Sequence, residues 1–141
     1  MRQAQITRVT HAFESGEGSA SHARSLAVDF LDRLPGRRGR HVPQHVVECT
    51  ELVVSELVTN ACKYAPGPIV LELHAGGGLL EVTVWDSEPS APTARAADPG
   101  RVGRHGLEIV TAVARSFEVR REPVGKRVTA RIALDDDADL V

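Results

Sequence analysis

Apolar positions along the chain fall into two periods, and the switches between them mark out the elements. Ile6 to Glu14 is rich in strand-forming residues and reads as an entering strand, broken by Gly16-Glu17-Gly18-Ser19. Ala23, Leu26, Ala27, Phe30, Leu31 and Leu34 then follow the i, i+3, i+4 spacing of a helix with one buried face. Ser19 or Ser21 is placed to cap that helix and Pro35-Gly36 to end it. A second helix is predicted from near Pro43 to about Ala65, where Pro66-Gly67-Pro68 stops it. Next, Ile69, Leu71 and Leu73 alternate with Val70, Glu72 and His74. After a Gly76-Gly77-Gly78 turn, Leu80, Val82 and Val84 alternate with Glu81, Thr83 and Trp85. From Ser87 to Val102 periodicity lapses and Pro, Ala and Gly dominate, the composition of a functional loop or a disordered one. A third helix, about Arg104 to Arg115, precedes a closing hairpin of Phe117 to Arg121 and Arg127 to Leu134, turned by Pro123-Val124-Gly125-Lys126. Helices interleaved with hairpins that each have one apolar face imply a two-layer α+β sandwich, one domain over residues 1–141 with an acidic tail at 135–141. The βαβ alternation and glycine fingerprint of a dinucleotide-binding fold are missing.

The second helix carries the most informative departure from a plain amphipathic pattern. With Glu56 at zero on a helical wheel, Asn60 falls near +40° and Lys63 near −20°, at about 100° per residue. An acid, an amide and an amine thus share a narrow face beside the apolar stripe of Val46, Val47, Val54, Leu57 and Ala61. A solvent-facing polar row has the same spacing and needs no function. Asn is a mediocre helix former, however, and its place mid-helix beside apolar residues favours a ligand role. Continuing the register Leu80, Val82, Val84 by one step puts Asp86 on the core-facing side, costly for a carboxylate without a donor. Asp86 either caps a turn at the strand end or forms the floor of a pocket, accepting from an exocyclic amine such as that of adenine. Gly103-Arg104-His105-Gly106 opens the third helix, where free backbone N–H groups and the helix dipole suit phosphate.

Composition narrows the classes without naming one. The 141 residues include 42% hydrophobic and 26% charged residues and carry a formal net charge of −2, ordinary for a soluble domain. With 4% aromatic residues and no basic stripe, direct nucleic-acid binding is not expected, and Arg37-Arg38-Gly39-Arg40 reads as a solvated loop. No apolar run is long enough to span a membrane and no signal-peptide core is present at the N-terminus, so a cytoplasmic protein is expected. Cys49 and Cys62, thirteen residues apart on one predicted helix, point in different directions and are expected to be reduced, buried thiols.

The order of these features resembles the Bergerat-fold ATPase superfamily of histidine kinases, type II topoisomerase ATPase domains and related chaperones. It is most similar to the stand-alone anti-sigma-factor serine/threonine kinases of actinobacteria. Ser55-Glu56-Leu57-Val58-Thr59-Asn60-Ala61-Cys62-Lys63-Tyr64-Ala65 resembles the family's N-box, and Val82-Thr83-Val84-Trp85-Asp86 its adenine-binding strand. Gly103-Arg104-His105-Gly106-Leu107-Glu108-Ile109-Val110 resembles the second glycine box, and Gly125-Lys126-Arg127-Val128-Thr129-Ala130 the final strand. The chain departs from the family pattern at Asp86-Ser87-Glu88, where aspartate-any-glycine is usual, and at Arg104-His105 between the glycines.

The resemblance implies a mixed, mostly antiparallel sheet with helices on one face, binding ATP and Mg²⁺. It implies that Asn60 coordinates Mg²⁺ through its side-chain oxygen, that Glu56 orients or deprotonates the attacking group, and that Asp86 accepts from the adenine amine. Lys63 would meet phosphate and Tyr64 pack near the base. Gly103, Arg104, Gly106, Leu107 and Thr129 would line the nucleotide, and His105 is either a phosphate donor or a loop-edge histidine without a role. Residues 87–102 would form an ATP lid. The expected activity is phosphorylation of a Ser or Thr on an antagonist protein, with a sigma factor as second partner and a homodimer as the expected assembly. The alternative is a nucleotide-dependent binding module without kinase activity. A two-component histidine kinase catalytic domain ranks below both, because no phosphoacceptor helices precede Ile6.

Overall fold

The computed structural model describes residues 7–14, 16, 18–34, 42–64, 67–87 and 102–134, with the side chains of Tyr64 and of 102–107 outside that description. The elements are β1 (Thr7–Phe13), α1 (Ser19–Asp32), α2 (Gln44–Tyr64), β2 (Ile69–Gly76), β3 (Leu79–Asp86), α3 (Val102–Val113), β4 (Ser116–Arg121) and β5 (Lys126–Ala133). The lid expected at 87–102 falls almost wholly outside the described residues, as do the Arg37–Arg40 run and the acidic tail.

The strands form one five-stranded sheet in the order β1-β2-β3-β5-β4. All four pairings are antiparallel, so the parallel component expected of a mixed sheet does not occur among the described strands. Strand alternation sends Ile69, Leu71, Leu73 and Ala75 of β2 to one face, opposite Asp86, Val84, Val82 and Leu80 of β3. Those in turn face Lys126, Val128, Ala130 and Ile132 of β5. This face is covered by the helices: α2 lies on β2, β3 and β5, flanked by α1 on one side and α3 on the other. The β2–β3 hairpin turns on Gly77 and Gly78, with φ of 62° and 81°; a two-residue loop with left-handed backbone at both positions keeps the twist of the flanking strands.

α2 is buried over a wide arc because it has neighbours on three sides. Val46, Thr50, Val53, Val54, Leu57, Val58 and Ala61 are all buried, and Thr50 satisfies its hydroxyl on the Val46 carbonyl at 2.8 Å. Leu52, at the far edge of the polar cluster, is exposed. Two expectations need correction. Neither Ser19 nor Ser21 caps α1: the cap position is Gly18, at φ 87°, and Ser19 has already entered the helix, donating its hydroxyl to the Glu14 carbonyl at 3.0 Å. Cys49 and Cys62 are free, as expected, but half-buried rather than buried, since both lie outside the arc that faces the sheet.

Candidate functional site

Chain connectivity brings the last turns of α2 and Asp86 to one end of the sheet. α2 ends at Tyr64, and β2 begins at Ile69, whose cross-strand partner is Asp86, whose other partner is Lys126. The loop between α2 and β2 touches the residue after Asp86: a Cβ added at Gly67 would stand 2.9 Å from the Ser87 hydroxyl. The last turns of α2, the end of β3 and the start of β5 therefore converge, and the chain leaves this corner at Ser87 to return at Val102.

Exposure across the polar cluster of α2 is graded. Asn60 is buried, at 7% exposure, Glu56 is half-buried and Lys63 is exposed, matching their order away from the apolar arc. The Asn60 side chain has no hydrogen-bond partner among the described residues. An amide with two donors and two acceptor lone pairs, removed from water and unpaired, costs roughly 1–3 kcal/mol, a debt that a ligand in this corner would cancel. The orphaned amide oxygen is a hard donor of the kind Mg²⁺ accepts, and Mg²⁺ bound through one or two side chains and substrate phosphates needs no cage of protein ligands. In that sense the residues present fit the implied nucleotide and metal.

Asp86 occupies the inward position its register predicted and is 1% exposed. What the sequence reading missed is its partner. Lys126 Nζ lies 3.1 Å from Asp86 Oδ1 and 3.0 Å from Oδ2, with its own residue 2% exposed. The signal was available: Lys126, Val128, Ala130 and Ile132 form an inward row on β5, and its first member meets the last member of the β3 row. Gly125 precedes this lysine at φ 90°, and a side chain there would collide with the Asp86 carbonyl oxygen. The turn before β5 thus brings a glycine backbone close to the end of β3.

The structure does not bring Thr129 to this corner. Its register puts it on the opposite face of the sheet, where its hydroxyl lies 3.1 Å from that of Thr83. Strand parity alone excludes it, since Asp86, Lys126 and Val128 point to the helices and Thr129 points away. Gly103, Arg104, His105, Gly106 and Leu107 lie inside the first turns of α3, which starts at Val102 rather than at Arg104. Their side chains, like that of Tyr64, lie outside the described residues.

A family model for the histidine kinase-like ATPase domain matches residues 17–132. The chain belongs to that family. Among solved structures, the RsbU and RsbW domains of a Mycobacterium tuberculosis protein match with a TM-score of 0.67 at 17% identity, over 91% of this chain and 32% of that one. The histidine kinase domain of a blue-light activated histidine kinase from Erythrobacter litoralis matches with a TM-score of 0.55 at 23% identity, over 86% of this chain and 64% of that one. At these identities the neighbours share the fold, and this chain spans less than two thirds of either. No curated protein matches the sequence. The antiparallel sheet of the described strands, with α2 packed on one face, is consistent with that fold. No described helix is long and apolar enough to cross a membrane.

Proposed function

We propose that this ATPase domain is an ATP- and Mg²⁺-dependent protein serine/threonine kinase of the anti-sigma-factor type. The observation that carries the reading is the buried Asn60 amide, without a hydrogen-bond partner among the described residues, one helical turn after the half-buried Glu56 and near the end of α2. Asn60 would hold Mg²⁺ by its oxygen, and Asp86 would accept from the adenine amine. Bound Mg²⁺ supplies charge neutralisation at the transferring phosphoryl group. Glu56, reachable by solvent and one turn from the metal ligand, would orient the acceptor hydroxyl and take its proton. Lys63, exposed at the rim, would meet phosphate, and the first turn of α3, which opens at Val102, would offer backbone N–H groups to it.

The partner assignment rests on the likeness of the Ser55–Ala65 segment to the anti-sigma-factor kinase group and on a neighbour whose structure contains an RsbW domain. It makes the phosphoacceptor a separate antagonist protein and the second partner a sigma factor, with the kinase a cytoplasmic homodimer. The test is incubation of the purified protein with γ-labelled ATP, Mg²⁺ and antagonist-like proteins from the same cell. Label on one partner, lost in Glu56→Ala, supports the kinase. ATP binding with no label on any partner that demonstrably binds would leave a nucleotide-dependent binding module.

A further inference from the structure

We infer that Lys126 is a base-reading residue: with Asp86 it forms a donor–acceptor pair that grips the Watson–Crick edge of adenine, Asp86 accepting from the 6-amino group and Lys126 donating to N1. This rests on the reading of Asp86 as the adenine acceptor and adds a second, independent contact to it.

Three observations carry the inference. First, the ammonium is buried at the corner already described, 3.0 and 3.1 Å from the two oxygens of Asp86. Second, an ammonium has three N–H donors. Its only hydrogen bonds are the two to Asp86, which leaves one donor without an acceptor among the described residues. A buried cation with a spare donor is costly until an acceptor arrives. Third, the pair is held in place: both residues end inward-facing rows, they are cross-strand partners, and Gly125 at φ 90° packs its backbone on the Asp86 carbonyl. A lysine in water would sample many positions, whereas this one is fixed beside the carboxylate. Adenine carries a donor (the 6-amino group) and an acceptor (N1) on adjacent atoms, which complements a carboxylate and an ammonium in contact. A lysine present only to neutralise Asp86 would need no particular atom on the base.

A ligand series on the unaltered protein, read by titration calorimetry, separates the two contacts. ATP is compared with 1-deazaadenosine triphosphate, in which a C–H replaces N1, and with purine riboside triphosphate, which lacks the 6-amino group. Each analogue is expected to bind about 10- to 100-fold more weakly than ATP, the loss of one hydrogen bond to a charged group. If the 1-deaza analogue binds as ATP does while the other is weakened, the Lys126 inference is overturned and the Asp86 reading stands. If loss of the 6-amino group changes nothing, the Asp86 reading fails. GTP presents its acceptor and donor in the reverse order, and tighter binding of GTP than of ATP overturns adenine as the base. Lys126→Met then assigns the contact: the preference for ATP over the 1-deaza analogue should vanish, and its persistence overturns the role of Lys126. Should that variant fail to fold by circular dichroism, Lys126→Gln, which keeps an N–H donor, should retain part of the preference, and a preference of full wild-type size would count against the ammonium.

Discussion

The two faces of the sheet hold the same kinds of charged side chain in opposite circumstances. On the helix-covered face of β3 and β5 stands, among the described residues, one ion pair, Asp86–Lys126, whose side chains are 1% and 3% exposed. On the open face, two rows of contacts between 2.8 and 3.8 Å run Arg8–Glu72–Arg127–Glu122 and Glu81–Arg131–Glu118, with His74 beside Glu81. The open-face charges alternate in sign and stay in water, so each can exchange one partner for another at little cost. The covered pair cannot. Desolvation makes its two members dependent on each other, and it is this dependence, rather than a gain in stability, that suits a site where a ligand must be recognised. Several ion pairs on one face and a single pair on the other, counted among the described residues, therefore predict the reverse ranking of mutational effects.

The largest effect should come from halving the covered pair. Lys126→Ala leaves a carboxylate buried without its cation and is expected to cost about 3–5 kcal/mol in urea unfolding. Replacing both members, Asp86→Leu with Lys126→Met, should recover most of that stability while abolishing nucleotide binding. A double variant as unstable as the single one would mean that the pair itself stabilises the fold, contrary to the contrast drawn between the faces.

Gly125→Ala probes how the pair is held. The substitution demands a left-handed backbone of an L-residue and drives its Cβ onto the Asp86 carbonyl, so about 2–4 kcal/mol should be lost in thermal or chemical unfolding, with nucleotide affinity falling in parallel. Gly77→Ala, also at positive φ but with open space around it, should cost about 1 kcal/mol and leave binding unchanged. Equal effects at the two glycines would show that the clash with Asp86 is relieved by a small shift and that the corner is softer than its packing suggests.

Asn60 separates stability from binding on the same covered face. Its amide is buried without a partner among the described residues, so Asn60→Leu should raise the unfolding free energy, by up to about 1–3 kcal/mol, while Mg²⁺-dependent ATP binding drops at least about 10-fold. A large loss of stability would assign the amide to the fold instead of a ligand.

Much of this architecture was readable in the chain. Period-2 runs at 69–73 and 80–84, glycines at the hairpin turn and the i, i+3, i+4 face of α1 are local signals, and the elements they predict are present within one or two residues. Asp86 was legible because parity extends a visible apolar row by one step. Lys126 was not read, because its meaning depends on which strand lies beside β3, and β5 is 40 positions away in sequence from its partner aspartate. Thr129 failed for a related reason: a motif match places a residue on a strand but does not say which face it takes. The width of the buried arc on α2 was also hidden, since a wheel shows one apolar stripe while neighbours on three sides bury more, Val53 and Val58 among them.

The smallest effect should appear on the open face, at its best-connected carboxylate. Arg131 donates to Glu81 at 2.8 Å, and this hydrogen bond, opposed by partial burial and aided by His74, holds the Glu81 carboxyl below its ordinary value. Glu81 is charged more readily in the folded than in the unfolded state, so its contribution is complete above the unfolded-state carboxyl value and is lost as pH falls through the lower folded one. Yet a third of its side chain is exposed, and water and salt screen the pair. Glu81→Gln should therefore cost less than about 1 kcal/mol at neutral pH, by urea unfolding, and the difference should shrink in 1 M salt. Below the folded-state value the variant and the wild type should converge, because both then carry a neutral side chain at this position. A neutral-pH loss as large as that of Lys126→Ala would erase the distinction between the faces and make the open network a structural element in its own right.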